Sequence, residues 1–278
     1  MEYAELKITV RDEEHAEIIT AMLADFPFEA FDEDAGVLRA YIAVAEYDAC
    51  RMDIEELLAS LEVEWGVQHI VQQNWNAAWE SDFEPVRVEG DTPILIRAPH
   101  HEPAAEGVVD VVIAPRMSFG TGHHATTALM SRTIAEMDFC AKHGLDMGCG
   151  TGVLAIVAVK CGAQSMVAVD IDDWACDSCR DSIALSRVAE SVDVRCGSMQ
   201  VVASEKFDFI LANINRNILI DMMSSFAEAL TVGGELLMSG FFTEDIPAIE
   251  AVASQYGFSL ERTAERDGWA VMVCSKNR

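Results

Sequence analysis

Hydrophobic and polar positions change rhythm along this chain, and the change divides it. Near the start, Leu6, Ile8 and Val10 alternate with Lys7 and Thr9, the period of a half-buried strand. Asp12 stands where a helix cap is needed, and Ile18, Ile19, Met22 and Leu23 supply the apolar face of a helix running to about Asp25. Phe26-Pro27 ends it. Residues 28–33 and 37–44 read as two strands joined by an acidic turn. A second helix fits 48–61 through Ile54, Leu57, Leu58 and Leu61, and Gly66 precedes a last strand, VQHIVQ. The order βαββαβ predicts a ferredoxin-like α+β domain over residues 1–72.

The segment NWNAAWESDFEPV follows. Trp75 and Trp79 are four residues apart, so a short helix would carry both rings on one side and dock on a neighbouring domain; 73–84 is therefore expected to be a linker helix. Strands at 86–89, 94–97 and 108–113 come next. The pattern then becomes strand–helix alternation, with strands at 143–147, 165–170, SVDVRCG, 207–213 and 234–240. The helices between them fall near 152–161, 173–187, 217–230 and 243–256. SLERTAERDG and WAVMVCS close the chain as an antiparallel pair. Short, continuously apolar central strands alternating with helices predict a doubly wound α/β domain.

Two glycine clusters carry the candidate chemistry. In LDMGCGTGV, Asp146-Met-Gly148-Cys-Gly150-Thr-Gly152 follows a strand and opens a helix, where a ligand must approach the main chain closely. A dinucleotide fingerprint would place its third glycine at position 153, which is Val, and no Lys-Ser/Thr follows as in a P-loop. Asp170 ends the next strand, 22 residues after Gly148, where a carboxylate accepts both hydroxyls of an adenosine ribose. Acids before the loop and at the second strand end suit S-adenosylmethionine (AdoMet), which is cationic and has no pyrophosphate, better than NAD. At the fourth strand end, Asn213 offers side-chain and backbone carbonyls toward the place of a transferable methyl, while Asn215 suits the cap of the following helix.

The earlier cluster, MSFGTGHHATT, reads as a cover over the ligand, with Gly120 and Gly122 as hinges and Thr126 and Thr127 donating hydroxyls at a helix start. Adjacent His123 and His124 point in different directions and no further ligand set completes a metal site, so no metal is expected. Cys176 and Cys179 fall within a helical stretch without a second pair and make a poor redox or zinc motif.

Charge narrows the partners. The net charge is −28, and residues 1–72 hold 18 acids against 4 bases, a net of −14 in a quarter of the chain. That opposes a bare nucleic-acid backbone and favours a basic partner or simple solubility. Apolar runs such as Val153–Val159 are too short to cross a bilayer. The start, MEYAELKITVRDEE, lacks the basic and apolar regions of a secretory signal, and the eight cysteines read as reduced thiols, so a cytoplasmic protein is expected.

FGTGHHATT, LDMGCGTGVLAI, AVDID and ANIN, with NWNAAWESDFEPVRV upstream, resemble the ribosomal-protein methyltransferases called PrmA, over nearly the whole chain. The resemblance implies a Rossmann-like seven-stranded class I methyltransferase domain over 85–278, with the ferredoxin-like domain recognising substrate. It implies AdoMet as cofactor, held by Thr127, Gly148, Asp170 and Asn213, with Asn213 also catalytic. The implied reaction is trimethylation of lysine and N-terminal amines on protein eleven of the large ribosomal subunit, a basic partner. The family usually has Thr and Pro where this chain has His123 and Ala125, which puts the rigidity of that loop in question. Competing readings are a methyltransferase for RNA or a small molecule, a dehydrogenase that uses NADH as cofactor, and an AdoMet-binding interaction protein without catalysis. Net charge opposes RNA, the absence of N-P-P-Y opposes the amide and nucleobase amino methylators that use it, and Val153 opposes the dehydrogenase.

Overall fold

The structure, a computed structural model, describes residues 2–24, 26–34, 36–61, 63–71, 83–114 and 122–277. Contacts divide the chain into two compact units, Met1–Trp75 and Asn76–Arg278. The expected linker segment 73–84, with Trp75 and Trp79, lies outside the described residues except for its last two.

The first unit is an antiparallel four-stranded sheet of order β2-β3-β1-β4, built from β1 (Glu2–Thr9), β2 (Phe28–Asp34), β3 (Val37–Ala43) and β4 (Trp65–Val71). Two helices cross between strands, α1 (Glu13–Leu23) and α2 (Val44–Ser60), giving the ferredoxin-like order read from the sequence. Ala4, Leu6 and Ile8 of β1 bury one face against Ile19, Leu23, Ile54 and Leu58. Asp12 caps α1, its Oδ1 accepting from His15 N–H at 2.9 Å. The apolar stripe of α1 is narrower than expected: Ala16, Ile19 and Leu23 face the sheet, whereas Ile18 is 50% exposed. Residues one position apart lie about 100° apart on a helix, so Ile18 and Met22 rotate off the buried stripe. Helix α2 begins at Val44 rather than 48, and its first turn buries Tyr47.

The second unit holds a three-stranded sheet, β5-β6-β7 (Val86–Val88, Ile94–Arg97, Val109–Val112), and a seven-stranded one. The strands of the larger sheet are β8 (His143–Met147), β9 (Ser165–Asp170), β10 (Val192–Cys196), β11 (Phe207–Asn213), β12 (Leu230–Phe242), β13 (Phe258–Arg266) and β14 (Trp269–Lys276). Their order is β10-β9-β8-β11-β12-β14-β13, parallel except for β14, which is antiparallel to both neighbours. The order reverses direction between β8 and β11, the switch point at which open α/β sheets bind ligands. Helices α3 (Ala125–Ala135), α4 (Val153–Lys160) and α5 (Asp173–Leu185) contribute to one core cluster with Phe209 and Leu211. Helices α6 (Arg216–Ala229) and α7 (Ile246–Gln255) contribute to the other, with Ile210 and Ala212. Alternate β11 residues thus serve opposite faces, which is why Phe209-Ile210-Leu211-Ala212 reads as an unbroken apolar run. β12 is longer than the expected 234–240 because Gly233-Gly234 sits inside the strand instead of opening it. Among the described residues, no helix is long and apolar enough to cross a membrane.

Gly144, near the start of β8, lies at a tightly packed point of the core. A Cβ there would lie 2.2 Å from Phe209 Cζ and 2.5 Å from Met166 Sδ, and Phe209 is itself stacked on Phe139 at 4.1 Å. Gly144→Ala should cost about 1–3 kcal/mol by overpacking. Urea denaturation should show this as a lowered midpoint at unchanged slope; an unmoved midpoint would mean that the core yields more easily than its geometry indicates.

Candidate active site

The parallel strands end on one edge, and three connections meet there. The turn after β8 is pinned to the neighbouring strand by its backbone: Gly148 N–H and Cys149 N–H both donate to Val169 O, at 2.8 and 3.1 Å. Gly148 has φ 73°, and a Cβ would come within 2.3 Å of Ile214 Cγ2, so both handedness and space require glycine. Val153, at the position of a dinucleotide fingerprint's third glycine, is instead a buried core residue of α4.

Asp170 ends β9 against this turn. Its Oδ2 accepts from Gly150 N–H at 2.9 Å and its Oδ1 from Asp172 N–H at 3.1 Å, leaving a lone pair on each oxygen. Asp172 points elsewhere, capping α5 through Trp174 N–H. Asp146, under the turn, is 1% exposed. Its Oδ2 accepts from Ala155 N–H at 3.1 Å, while Oδ1 has no hydrogen-bond partner. Burial pushes its pKa up to about 7; the Ala155 bond opposes that rise and the Asp170 charge adds to it.

On the other side of the edge, Asn213 ends β11 and its Nδ2 lies 3.4 Å from Thr127 Oγ1 in the first turn of α3. This is a long contact, but it joins an element from before the sheet to a strand tip 86 residues later. Asn215 caps α6, its Oδ1 accepting from Asn217 N–H at 2.9 Å, as its position indicated. The four expected ligand residues therefore form one continuous line: Thr127 to Asn213, Ile214 against Gly148, and Gly150 to Asp170.

The histidine pair separates as expected of adjacent residues. His123 packs edge-on against Phe83 with ring centroids 4.9 Å apart, and His124 packs against Trp269 at 4.6 Å. His124 caps α3, its Nδ1 accepting from Thr126 N–H at 3.3 Å. Gly122 has φ 94°; Gly120 and the rest of the expected cover at 115–121 lie outside the described residues. Cys176 and Cys179 are buried in α5 with different partners, Cys176 Sγ reaching Asp170 O at 3.5 Å and Cys179 lying against Gly152 and Cys149. The hydrogen bond that the Cys149 thiol donates to Cys179, and then burial, push its pKa well up, so it stays protonated. Among the described residues no cluster of three His, Cys, Asp or Glu side chains is arranged to hold a metal.

Sequence reading missed the aromatic rim, because it placed Trp269 only as sheet closure and ended the fifth strand at 240, short of Phe242. Trp269 pairs across the ladder with Phe242, their ring centroids 4.2 Å apart. The only signal available was the turn Asp267-Gly268 before Trp269, which brings a hairpin tip to the strand-end edge.

The buried Asp146 makes stability depend on pH with a definite sign. Its folded pKa, about 7, lies above the reference value of 3.8, so the folded protein binds the extra proton between those values and loses stability as pH rises through that window. Asp146→Asn removes the titration. Its stability relative to the wild type should rise by about 2–3 kcal/mol between pH 5 and 8, measured by urea unfolding at each pH. A pH-independent difference would place the carboxyl in a far wetter site.

The pattern of the family described as "Ribosomal protein L11 methyltransferase (PrmA)" matches residues 3–277. A ribosomal protein L11 methyltransferase of Porphyromonas gingivalis is 42% identical over 263 residues, 92% of this chain and 89% of that protein. One of Phocaeicola vulgatus is 34% identical over 280 residues, 98% of each chain. The crystal structure of a ribosomal protein L11 methylase from Lactobacillus delbrueckii subsp. bulgaricus superposes with a TM-score of 0.64 at 25% identity, covering 70% of this chain and all of that one. The seven-stranded order and the glycine turn at its switch point are thus a class I methyltransferase fold, and the chain belongs to the ribosomal protein L11 methyltransferase (PrmA) family.

Proposed function

We propose that this protein transfers methyl groups from AdoMet to lysine and N-terminal amines of large-subunit ribosomal protein eleven, up to the trimethylated state, in the cytoplasm. The observation that carries the reading is the continuous line from Thr127 through Asn213 and Gly148 to Asp170 at the switch point. These residues fit AdoMet. Asp170 keeps a lone pair on each oxygen for the ribose hydroxyls, and the glycine turn lets a ligand lie against the main chain. The Asp170 carboxylate gives the anionic environment that a cationic ligand favours and a pyrophosphate opposes. When bound, AdoMet supplies an electrophilic methyl on a sulfonium.

What the chain's own residues do is orient and dehydrate. A lysine with pKa near 10.4 costs about 4.6 kcal/mol to hold neutral at pH 7, at 1.36 kcal/mol per unit. Burial beside a cation lowers that pKa and supplies part of the cost. Thr127 holds the Asn213 amide by its nitrogen, which turns the side-chain carbonyl the other way, free to accept an N–H of the incoming amine. No dedicated base is required once the amine is aligned, because positioning supplies the rest. For the first unit, the outer face of α2 carries exposed Glu46, Asp48, Asp53 and Glu56, which suits steering of a basic client.

Two measurements test the proposal. Incubation with labelled AdoMet and ribosomal proteins from cells lacking the enzyme should label protein eleven; label on RNA alone, or none, rejects the substrate. Asn213→Ala should lower turnover by roughly a hundredfold or more, with AdoMet binding by titration calorimetry retained at least in part. Full activity in that variant removes Asn213 from the mechanism.

A further inference from the structure

Contacts starting at Asn213 run in a closed circuit. Asn213 meets Thr127 at 3.4 Å, and the start of that helix is capped by His124. His124 packs on Trp269 at 4.6 Å and Trp269 on Phe242 at 4.2 Å. Phe242 N–H donates to Asp245 Oδ2 at 3.1 Å, and Asp245 Oδ1 pairs with Arg216 at 2.7 Å, three residues on from Asn213. Thr243 N–H donates to Gly268 O at 2.9 Å, tying the end of β12 to the turn that carries Trp269. Phe242 is held by backbone bonds on either side, yet its surface is 47% exposed. A phenylalanine fixed in water beside a reaction centre is not explained by the core, to which Phe241 next to it already belongs.

Building on the amine-methyltransferase reading, we propose that Phe242 and Trp269 form the acceptor-side wall of the site and bind alkylammonium groups, favouring nitrogens that already carry methyl groups. Each methyl replaces an N–H donor and spreads the cationic charge over apolar surface. Hydrogen-bond acceptors lose hold of such a group, while an aromatic face still attracts it. Asp245, the carboxylate of the circuit, is engaged by Arg216 and by Phe242 N–H, which leaves the rings as the surface for the cation. The wall holds the acceptor between transfers. In each transfer the nitrogen loses one proton to solvent, its new N–C bond forms as the S–C bond breaks, and a trimethylated nitrogen, with no proton left to lose, departs as product.

Peptides of the substrate N-terminus bearing an unmethylated, monomethyl or dimethyl amine separate this role from a structural one. In Phe242→Ala and Trp269→Ala, kcat/KM should fall by roughly three- to thirtyfold for the dimethyl amine, the range of one cation–π contact. It should fall less than threefold for the unmethylated amine, and mass spectra should shift to mono- and dimethyl products. Trp269→Phe, which keeps a ring, should restore trimethylation, and AdoMet affinity should not change. Equal losses for all three amines, or an unchanged product spectrum, would overturn the proposal. A second arm needs no protein substrate. In the enzyme loaded with S-adenosylhomocysteine, choline should shift the Trp269 indole N–H resonance, identified by its absence in Trp269→Phe. Its neutral isostere 3,3-dimethylbutan-1-ol should bind at least tenfold more weakly. Equal binding of the two overturns the wall even if protein eleven proves not to be the substrate, whereas a preference for choline supports it independently of that substrate.

Discussion

The turn between β8 and α4 is held from three directions, and the rest of the site takes its position from that turn. Val169 O accepts from Gly148 and Cys149, Asp170 Oδ2 accepts from Gly150, and Asp146 Oδ2 accepts from Ala155. Backbone donors of one connection are thus satisfied by the neighbouring strand and by two carboxylates. Because Gly148 lets Ile214 approach, the tip of β11 settles directly against the turn and carries Asn213 with it. A fixed backbone at this edge costs no reorganisation when a ligand arrives, which is the physical content of a preorganised site.

The two sides of the site differ in chemistry. Around the glycine turn the groups are polar and hydrogen-bonding: the carboxyls of Asp146 and Asp170 and main-chain amides. Around the end of β12 they are aromatic: Phe242, Trp269 and His124. Asn213 stands at the boundary. The polar half has a cost in stability, because a fully buried carboxyl with one unpartnered oxygen is worth less to the fold than an apolar residue of the same size. Sites that bind charged ligands commonly carry such costs, and a cationic ligand would relieve this one.

Most of this architecture was legible in the sequence, for identifiable reasons. Alternation in β1 and the apolar run Phe209–Ala212 of β11 are direct consequences of one-sided and two-sided burial. Asp170 and Asn213 were picked out because strand ends at a switch point are where open α/β sheets bind ligands. Other features depend on neighbours that no local pattern encodes. Ile18 and Ile19 are chemically equivalent in the sequence, and only the sheet's position decides which is buried. His124 caps α3, and Thr127 in the same turn reaches a strand tip 86 residues away. The Trp269–Phe242 contact arises from an antiparallel register within the sheet, invisible until β14 is placed between β12 and β13.

A crystal structure with S-adenosylhomocysteine tests the central claim most directly. Expected are the ribose hydroxyls on the Asp170 carboxylate, the amino-acid end of the ligand supplying positive charge to the unpartnered side of Asp146, and the sulfur facing Asn213 and Thr127. A ligand bound elsewhere, or an Asp170 carboxylate still making only its two backbone bonds in the complex, would contradict it.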